Sequence, residues 1–210
     1  MGNGSSLVAL RKVCVPRDDV IEGGLADNHF AAQLDKVVRD PAHYPVYGDP
    51  DAFFAQTYPT GGLKTLLTKT FGRVAGAKGV AGENGVLRPT TSFGGGKTHS
   101  LTAVYHLAKG ARPSNIADFL DETLLPDGPV QIAALVGDAL DPTAGVETNG
   151  HRTYTMWGEL AAQLGEDAYA AMSANDSERT APGTGTIKAA IGGKPTIVIV
   201  DEIAKYLRAV

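Results

Sequence analysis

The chain carries a single cysteine, Cys14, among its 210 residues. One thiol excludes an intramolecular disulfide framework and fits a reducing compartment. It has no partner at catalytic spacing, so no chemistry is assigned to it. No apolar run approaches the ~20 residues that a bilayer span requires. Leu7-Val8-Ala9-Leu10 is too short for the apolar region of a signal peptide, and no small-residue cleavage site follows it. Met1-Gly2-Asn3-Gly4-Ser5-Ser6 formally fits an N-myristoylation pattern but reads as a flexible start. The expectation is a cytoplasmic chain with no membrane partner. Neither sign of charge dominates: 19 Lys+Arg against 23 Asp+Glu leave a formal net charge of -4. Composition therefore gives no support for direct nucleic-acid contact. Aromatics make up only 7% of residues, yet 43% are hydrophobic, which excludes disorder over the whole chain. His29, His43, His99, His106 and His151 show no close pairing of the kind that zinc sites use. Glycine is the residue in excess, at 26, and its placement is informative.

Residues 1–75 read as a helical leader. From Asp27, which can cap a first turn, Phe30, Ala31, Leu34, Val37 and Val38 share a helical face, and Pro41 ends the run. The turn-rich stretch Tyr44 to Pro50 follows, then a short helix through Phe53 and Phe54. After Tyr58-Pro59-Thr60-Gly61-Gly62, Leu63, Leu66, Leu67, Thr70 and Phe71 form another amphipathic helix ending near Gly72. Residues 76–85, with four glycines and few apolar residues, read as a linker.

Residues 86–210 change character. Val86-Leu87 is expected to start a short strand, although Pro89 removes a ladder donor there. Ser100 to Lys109 reads as a helix, and Pro113-Ser114 as the start of another carrying Ile116, Phe119 and Leu120. Val130 to Val136 is a nearly continuous apolar run, as expected of a strand covered on both faces. Trp157 to Leu164 is helical and closed by Gly165, while Asn149-Gly150-His151 and Ala181-Pro182-Gly183 read as loops, the latter a candidate for the mouth of a site. Tyr154 and Trp157 are expected to pack in the core, and Arg152 to lie on the surface. Pro195 opens the β-branched run Ile197-Val198-Ile199-Val200, which stops at Asp201-Glu202. Alternating strands and helices indicate an α/β domain with a parallel sheet.

The chemistry concentrates in Thr91-Ser92-Phe93-Gly94-Gly95-Gly96-Lys97-Thr98, between an expected strand and a helix. A phosphate-binding loop needs backbone N–H groups converging on one anion, in conformations that glycine adopts freely. It also needs a helix N-terminus behind it, a lysine for the β- and γ-phosphates, and a hydroxyl for Mg²⁺. Gly94, Gly95 and Gly96, the following helix, Lys97 and Thr98 match these needs in turn. Thr91 stands where the first glycine of such loops is usual. His99 follows directly and reads as a helix-start residue within reach of nucleotide.

A second segment supports the first. A strand of four β-branched residues ending in Asp201-Glu202 looks like a Walker B strand, which carries its aspartate to the C-terminal edge of the sheet, where open α/β sheets bind ligands. Asp201 would hold Mg²⁺ directly or through water, and Glu202 would orient and deprotonate an attacking water.

Phe30-Ala31-Ala32-Gln33-Leu34, Asp51-Ala52-Phe53-Phe54, Thr57-Tyr58-Pro59-Thr60, Thr91 to His99, Thr155-Met156-Trp157-Gly158-Glu159-Leu160 and Asp201 to Leu207 together resemble one group of proteins. These are the large prokaryotic AAA-like P-loop ATPases called the domain of unknown function 499 family. That loop in the family also lacks its first glycine. The resemblance implies a P-loop NTPase fold of the additional-strand, catalytic-glutamate class, with ATP and Mg²⁺ as cofactors. It implies a setting in anti-phage defence or DNA-modification loci and, in the family, a much longer chain. A sensor strand would then insert beside the Walker B strand, so that the sheet formed by residues 86–210 is expected to be incomplete. The expected partners are ATP, the C-terminal remainder of the ATPase or sister subunits, and defence or DNA-modifying proteins. The isolated chain is expected to fold poorly and to be inactive by itself. Two other readings stay open: a module that holds nucleotide without turnover, and a small-metabolite kinase, which Asp201-Glu202 disfavours.

Overall fold

The computed structural model describes residues 14–15, 21, 31–77, 85–89 and 95–208. The chain divides into two compact units, Met1–Ala32 and Gln33–Val210, and every element named below lies in the second. The class is mixed α/β with a small parallel sheet.

The leader segment is helical from Leu34, where α1 (Leu34–Arg39) begins after the extended Gln33 at φ −122°. Asp27 and Phe30 lie outside the described residues, as do the first thirteen residues and positions 78–84 of the expected linker. Short helices α2 (Pro45–Gly48) and α3 (Pro50–Ala55) follow, each opened by a proline at its first position. The missing N–H costs nothing there. Asp49 caps α3 by accepting the Ala52 N–H at 2.8 Å. Thr60 caps α4 (Gly61–Val74), which buries Leu63, Leu67 and Phe71 at helical spacing and runs past Gly72.

Two expected elements differ from the structure. Residues 85–89 form no strand: Pro89 can donate nothing to a ladder, and Val86 is 69% exposed. The helix expected from Pro113 is replaced by two turns of 3-10 helix, Ile116–Asp118 and Glu122–Leu124. The Ile116 N–H bonds to the Pro113 carbonyl, and the Asp121 carboxylate takes the Thr123 N–H, which starts a new turn. Ile116, Phe119 and Leu120 are buried all the same.

Helix α5 (Lys97–Ala108) leads through these turns to β1 (Gln131–Val136). Two more strands, β2 (Val146–Thr148) and β3 (His151–Thr153), form an antiparallel hairpin. Its turn places Asn149 at φ 50° and Gly150 at φ 83°, the left-handed pair that a tight hairpin requires. Then come α6 (Met156–Leu164), α7 (Glu166–Glu178) and α8 (Thr184–Ile191), before β4 (Thr196–Asp201) and α9 (Ile203–Tyr206). β4 lies parallel to β1, with Gln131 beside Thr196 and Val136 beside Asp201. This crossover brings Asp201 to the C-terminal edge of the sheet.

One face of β1 presents Ala133 and Leu135 to Leu160, Ala161, Met172 and Ala190, with Trp157 packed at the margin. Burial of these side chains is the main stabilising term on this side of the sheet. Two buried carboxylates fix the surrounding helices. Glu159 accepts from Arg39, Thr148, Thr153 and Gln163. Asp176 accepts from the Tyr154 and Thr155 backbone and from the Thr155 hydroxyl. Each is about 1% exposed, so each buried charge is compensated by several donors. No helix among the described residues is long and apolar enough to cross a membrane.

Candidate functional site

The site forms where α5 begins and β4 ends. Gly96 precedes α5 at φ 69° and ψ 28°, a left-handed conformation that glycine takes without side-chain strain. Its carbonyl accepts the Ser100 N–H and the Ser100 hydroxyl, both at 2.9 Å. Gly95 and Gly96 are exposed, and Lys97, Thr98 and His99 make up the first turn. N–H groups in a first turn have no partner within the helix, so this end carries partial positive charge. Thr91, Ser92, Phe93 and Gly94 lie outside the described residues.

Thr98 and Asp201 meet. The Thr98 Oγ1 hydroxyl donates to Asp201 Oδ2 at 2.7 Å across 103 residues of sequence. Asp201 Oδ1 accepts the Glu202 N–H at 3.0 Å. Glu202 itself sits at φ 50° and ψ 27°, immediately before α9. A left-handed glutamate is locally costly, and such strain persists only where surrounding structure holds it. Gly137, directly after β1, supplies part of that hold. Its N–H donates to the Asp201 carbonyl at 2.9 Å, and the Glu202 carbonyl lies where a side chain at 137 would stand.

Lys205 on α9 completes the edge. Its ammonium is 2.7 Å from Asp138 Oδ2 and 3.8 Å from Glu202 Oε2. The hydrogen bond that the ammonium donates to Asp138 chiefly raises the lysine pKa, with the nearby carboxylates adding to it. This half-exposed pair orients α9 against the end of β1 more than it stabilises the fold.

His99 turns toward the leader. Its Nε2 is 2.8 Å from the Thr57 hydroxyl, which itself donates to the Phe53 carbonyl. A hydroxyl has one proton, so the proton between Thr57 and His99 belongs to Nε2. The ring also packs on Phe53 at a centroid distance of 4.5 Å. Burial lowers the His99 pKa and favours the neutral ring.

The structure thus brings together Gly95, Gly96, Lys97, Thr98, Asp201 and Glu202, and it ties His99 to the leader. Arg152 is on the surface, paired with Glu147 at 2.8 Å. The sequence pattern gives no site role to Thr57, Gly137, Asp138 or Lys205, although Thr57 and Lys205 lie in segments that carry the family resemblance. Asp138 did carry a signal, as a carboxylate just past the apolar run Val130 to Val136. A family model, the DUF499 N-terminal domain, matches residues 8–210. No curated protein and no solved structure gives a significant match.

Proposed function

The chain belongs to the DUF499 family, and we propose that it binds Mg-ATP and supplies the Walker A and Walker B residues with which a longer AAA-like P-loop ATPase hydrolyses it. The observation that carries this proposal is the 2.7 Å bond between Thr98 and Asp201. Two residues of the types that share a phosphate-bound Mg²⁺, far apart in sequence, meet at the N-terminus of a helix. In this proposal the backbone of Gly94 to Gly96 cradles the phosphates, and Lys97 neutralises charge on the transferring group.

The residues fit the metal. Thr98 gives its proton to Asp201, which leaves the hydroxyl lone pairs for a hard cation, and a carboxylate keeps acceptor capacity beyond its two present bonds. When bound, Mg²⁺ would offset negative charge that develops on the phosphate oxygens. Glu202, half-exposed at the same edge, would accept the proton of a water attacking the γ-phosphorus. The family resemblance supports coupling to movement or remodelling in defence or DNA-modification complexes, with the rest of a longer ATPase or sister subunits as partners.

The alternative is nucleotide binding without turnover. It is favoured by the Lys205 ammonium, 3.8 Å from Glu202, which competes with an attacking water for that carboxylate. Glu202→Gln separates the two. If the site is catalytic, the variant keeps Mg-ATP affinity and loses turnover by roughly 10²- to 10⁴-fold, as for removal of a general base. Phosphate release from the parent at a rate that Glu202→Gln leaves unchanged contradicts the catalytic role.

A further inference from the structure

We propose that Tyr58 is the stacking surface for the nucleobase of the bound nucleotide; this rests on the phosphate-site proposal above and adds to it the recognition of the base. Tyr58 is 81% exposed, although Thr57 just before it is buried. Phe53 and Phe54 are fully buried, and the Thr57 hydroxyl is fixed between the Phe53 carbonyl and His99 Nε2. His99 stands next to Thr98, so the Thr57–His99 bond sets the segment carrying Tyr58 beside the first turn of α5.

The segment is also held from its other side. The Thr60 N–H bonds back to the Tyr58 carbonyl at 2.8 Å, closing a tight turn around Pro59. The Thr60 hydroxyl caps α4 by accepting the Leu63 N–H. Tyr58 is therefore a large aromatic side chain on a turn whose flanking residues are both tied down. An aromatic ring presented in this way loses little conformational freedom on meeting a flat partner. The partner that the neighbouring loop implies is a nucleoside triphosphate, whose base stands clear of the phosphates gripped by Lys97 and Thr98. Every nucleobase offers a π-face to a tyrosine ring, so this contact strengthens binding without selecting one base. It also gives the Thr57-Tyr58-Pro59-Thr60 turn a direct part in the nucleotide site.

The test compares Mg-ATP with Mg-tripolyphosphate, which has the phosphates and no base, by calorimetry on the full chain and on Tyr58→Ala and Tyr58→Phe. The expected result is a loss of about 5- to 150-fold in ATP affinity in Tyr58→Ala, the range of base–aromatic stacking. Tripolyphosphate affinity stays within about twofold of the parent, which also reports that the loop is folded, and Tyr58→Phe keeps ATP affinity. Unchanged ATP affinity in Tyr58→Ala overturns the proposal, as does an equal loss for ATP and tripolyphosphate. A parent chain that binds neither ligand overturns the phosphate site and the base contact together. A parent that binds tripolyphosphate, with Tyr58→Ala indifferent to the base, overturns the base contact alone.

Discussion

Gly137 shows how much one hydrogen atom matters at this edge of the sheet. A Cβ built at 137 would overlap the Glu202 carbonyl oxygen and lie 2.8 Å from its carbonyl carbon and 3.0 Å from Ile203 Cα. All three are backbone atoms, which cannot swing aside as a side chain would. Gly137→Ala should therefore displace the Asp201-Glu202 step and destabilise the fold by about 1–3 kcal/mol, the usual cost of overpacking. Urea unfolding checks this through the transition midpoint at constant slope; a midpoint equal to the parent's would show that the step yields freely. Thr98 and Asp201 were legible in the sequence because their residue types and flanking patterns name a chemistry. Gly137 was not, because its role depends on a carbonyl that only the parallel register of β1 and β4 brings near.

At the scale of elements, α5 is held to the leader by His99 and His106, about two turns apart on one face of the helix. His106 Nε2 meets the Tyr47 carbonyl at 2.7 Å, and its ring lies 5.3 Å from Phe53. Burial lowers the pKa of both His99 and His106 below the ordinary 6.5. The unfolded chain then takes up protons before the folded one, so stability present above about pH 6.5 is lost as pH falls toward the folded values. His99→Gln with His106→Gln should flatten the decline in unfolding temperature between pH 7.5 and pH 5.5. An equally steep decline in the double variant would assign it to other groups. β1 has a different device: the Gln163 side-chain amide accepts the Ala134 N–H at 2.8 Å and donates to its carbonyl at 2.9 Å. It takes the place of a neighbouring strand. Gln163→Ala leaves two buried backbone groups unpaired and should cost about 1–3 kcal/mol in denaturant unfolding; a loss below 0.5 kcal/mol, or about that, would show that water replaces the amide.

Some elements were unreadable for physical reasons. The hairpin strands β2 and β3 have three residues each and lack apolar alternation, so only Asn149-Gly150 pointed to them, and as a loop. Helix α7 buries only Ala168, Met172 and Asp176, and a small residue with a buried carboxylate makes a faint hydrophobic stripe. The Val130 to Val136 run was legible because a strand covered on both faces has few other ways to bury it.

Over the whole molecule, the β1–β4 register decides what the site can be. The Gly137–Asp201 bond shows that Asp201 addresses its carbonyl to β1, so alternate residues Val198 and Val200 turn their backbone groups to the opposite edge. Among the described residues no strand pairs with that edge, and Val198 and Val200 are 43% and 42% exposed. The Thr98–Asp201 bond does not depend on a strand at that edge. The most direct test of the central claim is thermal unfolding of the full chain with and without Mg-ATP, beside Lys97→Ala. At ~100 times the dissociation constant, ligand should add ~2.7 kcal/mol to a folded site. A Mg-ATP site held by Lys97 predicts a rise in unfolding temperature for the parent that Lys97→Ala abolishes. A cooperative transition in the parent that does not respond to Mg-ATP would contradict it.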